Sequence, residues 1–140
     1  MSANPTDADL FLDPRIDQGL QLFNAHQFYA CHDVLEDFWS DMPESGKPMF
    51  QGLIQAAVAL FHFEEGNLGG SIRMYTSCRR YLAPYVPLAA RIEVGKLLED
   101  LSVCFAELCQ FAESCQPDKA YPADVRLQRE LIPTIIRRPA

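Results

Sequence analysis

The 140-residue chain has no apolar run approaching the ~20 residues that a membrane span needs. Its opening stretch, Met1 to Leu12, carries Asp7 and Asp9, has no basic start and has no apolar segment of signal-peptide length. There is no C-x-x-C pair among Cys31, Cys78, Cys104, Cys109 and Cys115; this odd set lies inside apolar helical patterns, which argues against a disulfide framework and for buried small hydrophobes. Together these absences lead us to expect a cytoplasmic protein. Basic residues are also scarce, with 12 Lys and Arg against 19 Asp and Glu, a net charge of -7. That balance excludes general affinity for nucleic-acid backbones or anionic lipid, both of which are negative, and makes basic partners electrostatically easier.

The usual catalytic signatures are missing as well. No Gly-x-Ser-x-Gly elbow occurs, and no cysteine stands beside an evident basic partner. Gly66, Gly69 and Gly70 follow no strand and precede no Lys-Ser/Thr pair, so they do not form a phosphate loop. Neither the paired Glu-x-x-His of di-iron bundles nor the His-Glu-x-x-His of zinc proteases is present. Arg79-Arg80 is too short for a nucleic-acid patch.

What is present is the composition of one ordinary folded domain, 49% hydrophobic and 22% charged. Asp13-Pro14 is a helix-start signal, because the aspartate accepts from free amides and proline loses nothing at the first helical position. Ile16, Leu20 and Phe23 continue the first helix, which breaks near Asn24 to Gln27. Phe28, Val34, Leu35, Phe38 and Trp39 mark the second, with Asp33, Asp37 and Asp41 opposite and Pro43 to Pro48 at its end. The third, Met49 to Glu65, is apolar nearly all round and belongs at the centre of a bundle. Gly66 suits its left-handed C-terminal cap.

A fourth helix is expected from about Leu68 to Ala83. A fifth runs from near Glu93 to near Cys115, with Leu97, Leu101, Cys104, Phe105, Leu108 and Phe111 at heptad-like spacing. Beyond Gln116, prolines exclude a long helix, while the apolar run Ile132 to Ile136 suggests docking. The fold class is therefore all-α: a compact bundle of about five helices, built from two antiparallel helical hairpins plus a packing helix, with an extended C-terminal tail. The two hairpins resemble tetratricopeptide-like units but are too few for a solenoid. We divide the chain into a flexible segment 1–12, a helical domain 13–115 and a proline-containing tail 116–140 docked on it.

One constellation carries chemistry. On the second helix His32, Glu36 and Trp39 stand at i, i+4 and i+7, which places them on one stripe at about 100° per residue. On the third, Gln51, Gln55 and His62 stand at i, i+4 and i+11, again on one stripe. Because the third helix is otherwise apolar, its polar stripe is expected inside the bundle, where buried polar groups must find partners. His32, Glu36 and the Trp39 indole are the partners available, so a single buried polar cluster joining the two helices is predicted.

Three roles suit such a cluster. It can be a hydrogen-bond network that fixes helix register. It can line a ligand site, with Glu36 as base and His32 as its proton partner, the candidate catalytic pair, and with Trp39, Gln51, Gln55 and His62 as candidate ligand-binding residues. It can hold a divalent metal on His32, Glu36 and His62, the weakest of the three, because Asp33 points about 100° away and three dispersed ligands are an unspecific pattern. We assign no metal ligands and no cofactor. His26, in a turn, is read as a solvated or capping residue.

These residues also form a recognisable pattern. Phe23-Asn24, Phe28-Tyr29, the run Cys31-His32-Asp33-Val34-Leu35-Glu36-Asp37-Phe38-Trp39, the run Phe50 to His62 beginning Gln51-Gly52-Leu53-Ile54-Gln55, and Gly66-Asn67 closely resemble the bacterial, archaeal and plastid family catalogued as the domain of unknown function numbered 309. The resemblance covers roughly Pro14 to Glu113. It implies an all-helical domain with the His-acid-x-x-Glu-x-x-Trp and Gln-Gly-Leu-Ile-Gln motifs, and no activity. The family usually has His-Glu where this chain has His32-Asp33, and commonly a glycine where His26 stands.

The expected function is a non-enzymatic domain binding a small ligand or a protein segment. One alternative is a metal-assisted or acid–base enzyme centred on His32 and Glu36; another is an acidic helical scaffold for a basic protein partner. An enclosed cluster would speak for structure and an open, deep one for chemistry. Neither nucleic acid nor membrane is expected as a partner.

Overall fold

A computed structural model describes residues 12–114 and 125–139. Among these residues the chain is all-helical, with two isolated β-bridges and no strand. Helix α1 spans Pro14–Asn24. Asp13 caps it by accepting the Arg15 amide at 2.9 Å, as the Asp-Pro pair predicts. Ile16, Gly19, Leu20 and Phe23 form its buried face. After a turn at His26 the chain enters α2, Phe28–Asp41, which buries Phe28, Cys31, Leu35 and Phe38. The two helices run antiparallel: Phe23 meets Phe28 at the turn, while at the far end the Arg15 guanidinium lies over the Phe38 ring.

A 3-10 turn at Glu44–Gly46 leads into α3, Lys47–Glu64, which ends at Gly66 in the left-handed conformation (φ 82°), as its capping role requires. Helix α4, Leu68–Leu82, begins on an Asn67 side-chain cap to the Gly70 amide. It returns antiparallel along α3, and a β-carbon added at Gly52 would stand 2.6 Å from Leu82 Cγ. Near the other end the Ser71 hydroxyl donates to the Ala59 carbonyl at 2.7 Å. Helix α3 therefore lies between α2 and α4, and most of its circumference is buried, from Met49 and Phe50 to Phe63.

The fifth helix departs from expectation. The stretch reading as one helix from Glu93 to Cys115 is two, α5 at Val94–Cys104 and α6 at Ala106–Ser114. The break falls at Phe105, whose backbone leaves helical geometry (φ -97°, ψ 2°). Its ring is fully buried, stacked on Tyr75 at 4.3 Å and facing Phe63 at 5.3 Å. Leu101, Phe105 and Leu108 are all buried across the break.

Residues 125–139 cross α1, the 89–93 turn and α5. Ile132 and Ile135 are buried, the Asn24 side chain pairs with both backbone groups of Ile135, and Glu93 N donates to Ile136 O at 2.9 Å. Arg137 and Arg138 reach Asp17 and Glu93 at 3.0 and 3.2 Å. The segment expected to be flexible at the N-terminus and Cys115 lie outside the described residues, apart from Leu12, which is exposed.

Candidate binding face

The site residues are positioned by the α2–α3 pairing. At one end the Trp39 indole Nε1 donates to the Lys47 carbonyl at 3.1 Å; at the other the Tyr29 and Phe61 rings lie 5.4 Å apart. Those two contacts fix an antiparallel register in which His32 and Glu36 run beside the middle of α3, where Gln55 stands.

His32 sits between two carboxylates of its own helix. Its Nε2 lies 3.0 Å from Glu36 Oε2, the i, i+4 neighbour, and its Nδ1 lies 3.3 Å from Asp33 Oδ1. Nδ1 is shielded from water, yet its geometry to Asp33 is not that of a hydrogen bond. Asp33 was expected to point away from His32. In the structure its Oδ1 comes near the ring, while the side chain stays 60% exposed.

The buried polar cluster is also corrected. Among the described residues Ser71 is the one polar residue buried as a whole, and it belongs to α4, not to the predicted cluster. His32, Trp39, Gln51, Gln55 and His62 are half-buried, and the Glu36 side chain is 58% exposed. The cause lies in how α3 is covered. Packing from α2 and α4 closes its apolar sides, leaving the line Gln51, Gln55, Val58 and His62 as the half-covered outer seam. Polar residues on an otherwise apolar helix thus mark its uncovered edge here, not a buried network.

Within the seam the partners differ from those predicted. Trp39 gives its N–H to the Lys47 backbone, not to a glutamine. The Gln55 Oε1 atom is shielded and has no hydrogen-bond partner, a condition that costs about 1–3 kcal/mol. His62 turns toward the α3–α4 turn, where its Nδ1 lies 3.3 Å from Asn67 Nδ2. Among the described residues no three His, Cys, Asp or Glu side chains gather to hold a metal ion, so the set His32, Glu36 and His62 is not brought together as ligands.

Beside Trp39 an open depression of about 240 Å³ is lined by Glu44, Lys47, Pro48, Gln51 and Tyr81. The Lys47 ammonium lies 4.2 Å above the centre of the Trp39 ring and 3.7 Å from Glu44 Oε1. Sequence reasoning found Trp39 and Gln51 but not Lys47 or Tyr81. Lys47 stands where α3 begins after the Glu44–Gly46 turn, and a β-carbon at Gly52 would stand 3.1 Å from Tyr81 Cβ. A larger cavity, about 650 Å³, lies between the α3–α4 turn and residues 125–129, crossed by an Arg129–Glu64 pair at 3.1 Å. None of the predicted site residues line it.

The cysteines stand apart from this chemistry. Cys31, Cys78, Cys104 and Cys109 are free, and burial pushes the thiols of the first three up to about 12 and that of Cys109 upward. A thiol so held is not a nucleophile near neutrality.

Fold and site together define a class: a small bundle of helical hairpins with a polar and aromatic seam along its second and third helices. Residues 16–74 match the family model described as "Domain of unknown function (DUF309)", a similarity that runs over α1 to α3 and the first half of α4 and stops short of Glu113. The chain is 34% identical over 68 residues to the "Uncharacterized protein YpuF" of Bacillus subtilis (strain 168), covering 48% of this chain and 39% of that one. It is 44% identical over 46 residues to an "Uncharacterized protein" of Aquifex aeolicus (strain VF5), covering 32% of this chain and 14% of the other. The chain thus spans well under half the length of these relatives. No helix among the described residues is long and apolar enough to cross a membrane.

Proposed function

We propose that this chain is a non-enzymatic domain that binds a protein segment on its α2–α3 face. The observation that carries the reading is the shape of that face: the candidate residues lie along an open seam, most of them half-buried, and the depression at Trp39 measures about 240 Å³. Sites that enclose a drug-sized molecule run to about 300–1,000 Å³. A face that is open without being deep suits side chains presented by a partner. Exposed Tyr29, against Phe61 and near His32, adds apolar contact area of the kind enriched at interfaces. We place the protein in the cytoplasm, a reading supported by four free cysteines.

The test is site-specific photocrosslinking in cells of the source organism. A crosslinker replacing Tyr29 is expected to give discrete protein adducts, and one replacing Val103, exposed on α5, is expected to give none. Adducts absent at Tyr29, or equal at both sites, would overturn the proposal.

The His32–Glu36 contact at 3.0 Å favours a second reading, an acid–base enzyme. Against it, Glu36 is 58% exposed, so the water-excluded chamber that such chemistry uses is missing at this carboxylate. A substrate screen in which turnover disappears with both His32→Gln and Glu36→Gln would favour this reading over the first.

A further inference from the structure

The depression at Trp39 already holds a cation. The Lys47 ammonium lies over the indole face with Glu44 as its counter-ion, and Tyr81 also lines the depression. Glu44 is 91% exposed and is not locked in place by packing, whereas the Lys47 side chain is 19% exposed and lies against the ring on its flexible stem. An aromatic face, a second ring and a carboxylate around a small open volume are the components of a cation-recognition site.

We propose that this depression is the anchor point for an arginine side chain on a basic protein partner, and that Lys47 is an internal stand-in which the arginine displaces. The inference rests on the proposed binding role of the α2–α3 face and names its partner. Volume limits the occupant, since about 240 Å³ accommodates one long side chain and not a whole cofactor. Geometry favours arginine over lysine, because a planar guanidinium stacks flat on the indole while offering paired donors to Glu44, whereas an ammonium does only one of these well.

Charge complementarity gives the partner its sign. Asp33, Asp37 and Asp41 recur at four-residue steps along α2, with side chains 60%, 73% and 67% exposed, and Glu36 lies beside them at 58%. Arg15 meets Asp37 and Asp41 together, which leaves this flank negative. On a chain of net charge -7, such a flank attracts basic segments to α2 and accelerates their encounter in a salt-dependent way.

Trp39 is the sole tryptophan of the sequence, so indole fluorescence reports on this site alone. The experiment titrates the full chain with an oligo-arginine peptide, with oligo-lysine and oligo-glutamate for comparison. Oligo-arginine is expected to change the Trp39 emission saturably and more tightly than oligo-lysine, and oligo-glutamate to leave it unchanged. Lys47→Ala vacates the ring face and should tighten oligo-arginine binding about fivefold. Lys47→Gln, which keeps most of the stem, serves the same purpose should the alanine variant fold poorly.

Arg73→Ala removes an equal charge from an exposed position on α4, eight residues before Tyr81, and should shift affinity far less. Tyr81→Ala should weaken binding. Equal shifts in the Lys47 and Arg73 variants would mean diffuse electrostatics and overturn the inference, as would no emission change with oligo-arginine. Crosslinks at Tyr29 together with a silent Trp39 would leave the binding face standing and reject the arginine anchor. A responsive Trp39 without Tyr29 crosslinks would do the reverse.

Discussion

At His26 the backbone is left-handed, with φ 60°, in the turn that joins α1 to α2. A side chain there crowds its own carbonyl, which costs about 1 kcal/mol relative to glycine. The family this chain resembles commonly has glycine at the position, and the dihedral supplies the reason. What the imidazole returns is a stack on Phe28 at 5.7 Å, partly open to solvent. We expect His26→Gly to raise stability by about 1 kcal/mol, read as a higher urea midpoint at unchanged slope; a lower midpoint would mean the stack outweighs the strain.

Asp13 carries a pH dependence of definite sign. The Arg15 guanidinium and amide both donate to its carboxylate and hold its pKa below the usual carboxylate range, against a smaller opposing effect of burial. Because the folded value is the lower one, the stabilisation is complete above the unfolded value of about 3.9 and disappears as pH falls through the folded value. Asp13→Ala should therefore cost about 1 kcal/mol at neutral pH through the lost helix cap. Melting curves of the two proteins should converge in strong acid. Glu36→Ala, by contrast, is expected to change stability by less than about 1 kcal/mol, because its pair with His32 is exposed; a large drop in melting temperature would restore the buried role that the sequence suggested.

Among the elements, the close approach of α3 to α4 is set by a glycine inside the Gln-Gly-Leu-Ile-Gln motif. A β-carbon at Gly52 would stand 2.6 Å from Leu82 Cγ and 3.1 Å from Tyr81 Cβ, so α3 and α4 must separate or Leu82 must change rotamer. Gly52→Ala should cost about 2 kcal/mol despite the better helix propensity of alanine. Adding Leu82→Ala should recover part of that loss in a double-mutant cycle, and strict additivity would show that the contact is not the cause.

The same contact marks where sequence reading succeeds and stops. Helix α1 was legible because Asp13-Pro14 is a local signal, and the central place of α3 because its polar surface is too narrow for any outer position. The Phe105 break was not legible, since the heptad spacing from Leu97 to Phe111 passes through it unchanged and the ring that Phe105 stacks on belongs to Tyr75, thirty residues earlier in the chain. Stripe arithmetic correctly grouped His32 with Glu36 and Gln51 with Gln55, but it gives no direction in space. Whether a polar stripe faces inward depends on which sides α2 and α4 occupy, and that is decided by contacts such as Gly52 with Leu82.

At the scale of the whole molecule, residues 125–139 tie the first hairpin to the α5 side of the bundle. The pairs of Arg138 with Glu93 and Arg129 with Glu64 are exposed and contribute little each. Arg137, only 6% exposed in its side chain, holds Asp17 less screened by water. The specific bond is made by Asn24: its Nδ2 donates to Ile135 O at 3.0 Å and its Oδ1 accepts Ile135 N at 2.8 Å, as a neighbouring strand would. Asn24→Ala strands both backbone groups beside the buried Ile132 and Ile135 side chains, at a cost of about 2 kcal/mol. If the segment opens on its own, amide exchange at Ile135 should accelerate while Leu53 in α3 stays protected. If Leu53 accelerates equally, the segment unfolds only with the bundle, and the ties at Asn24, Asp17 and Glu93 belong to one cooperative structure.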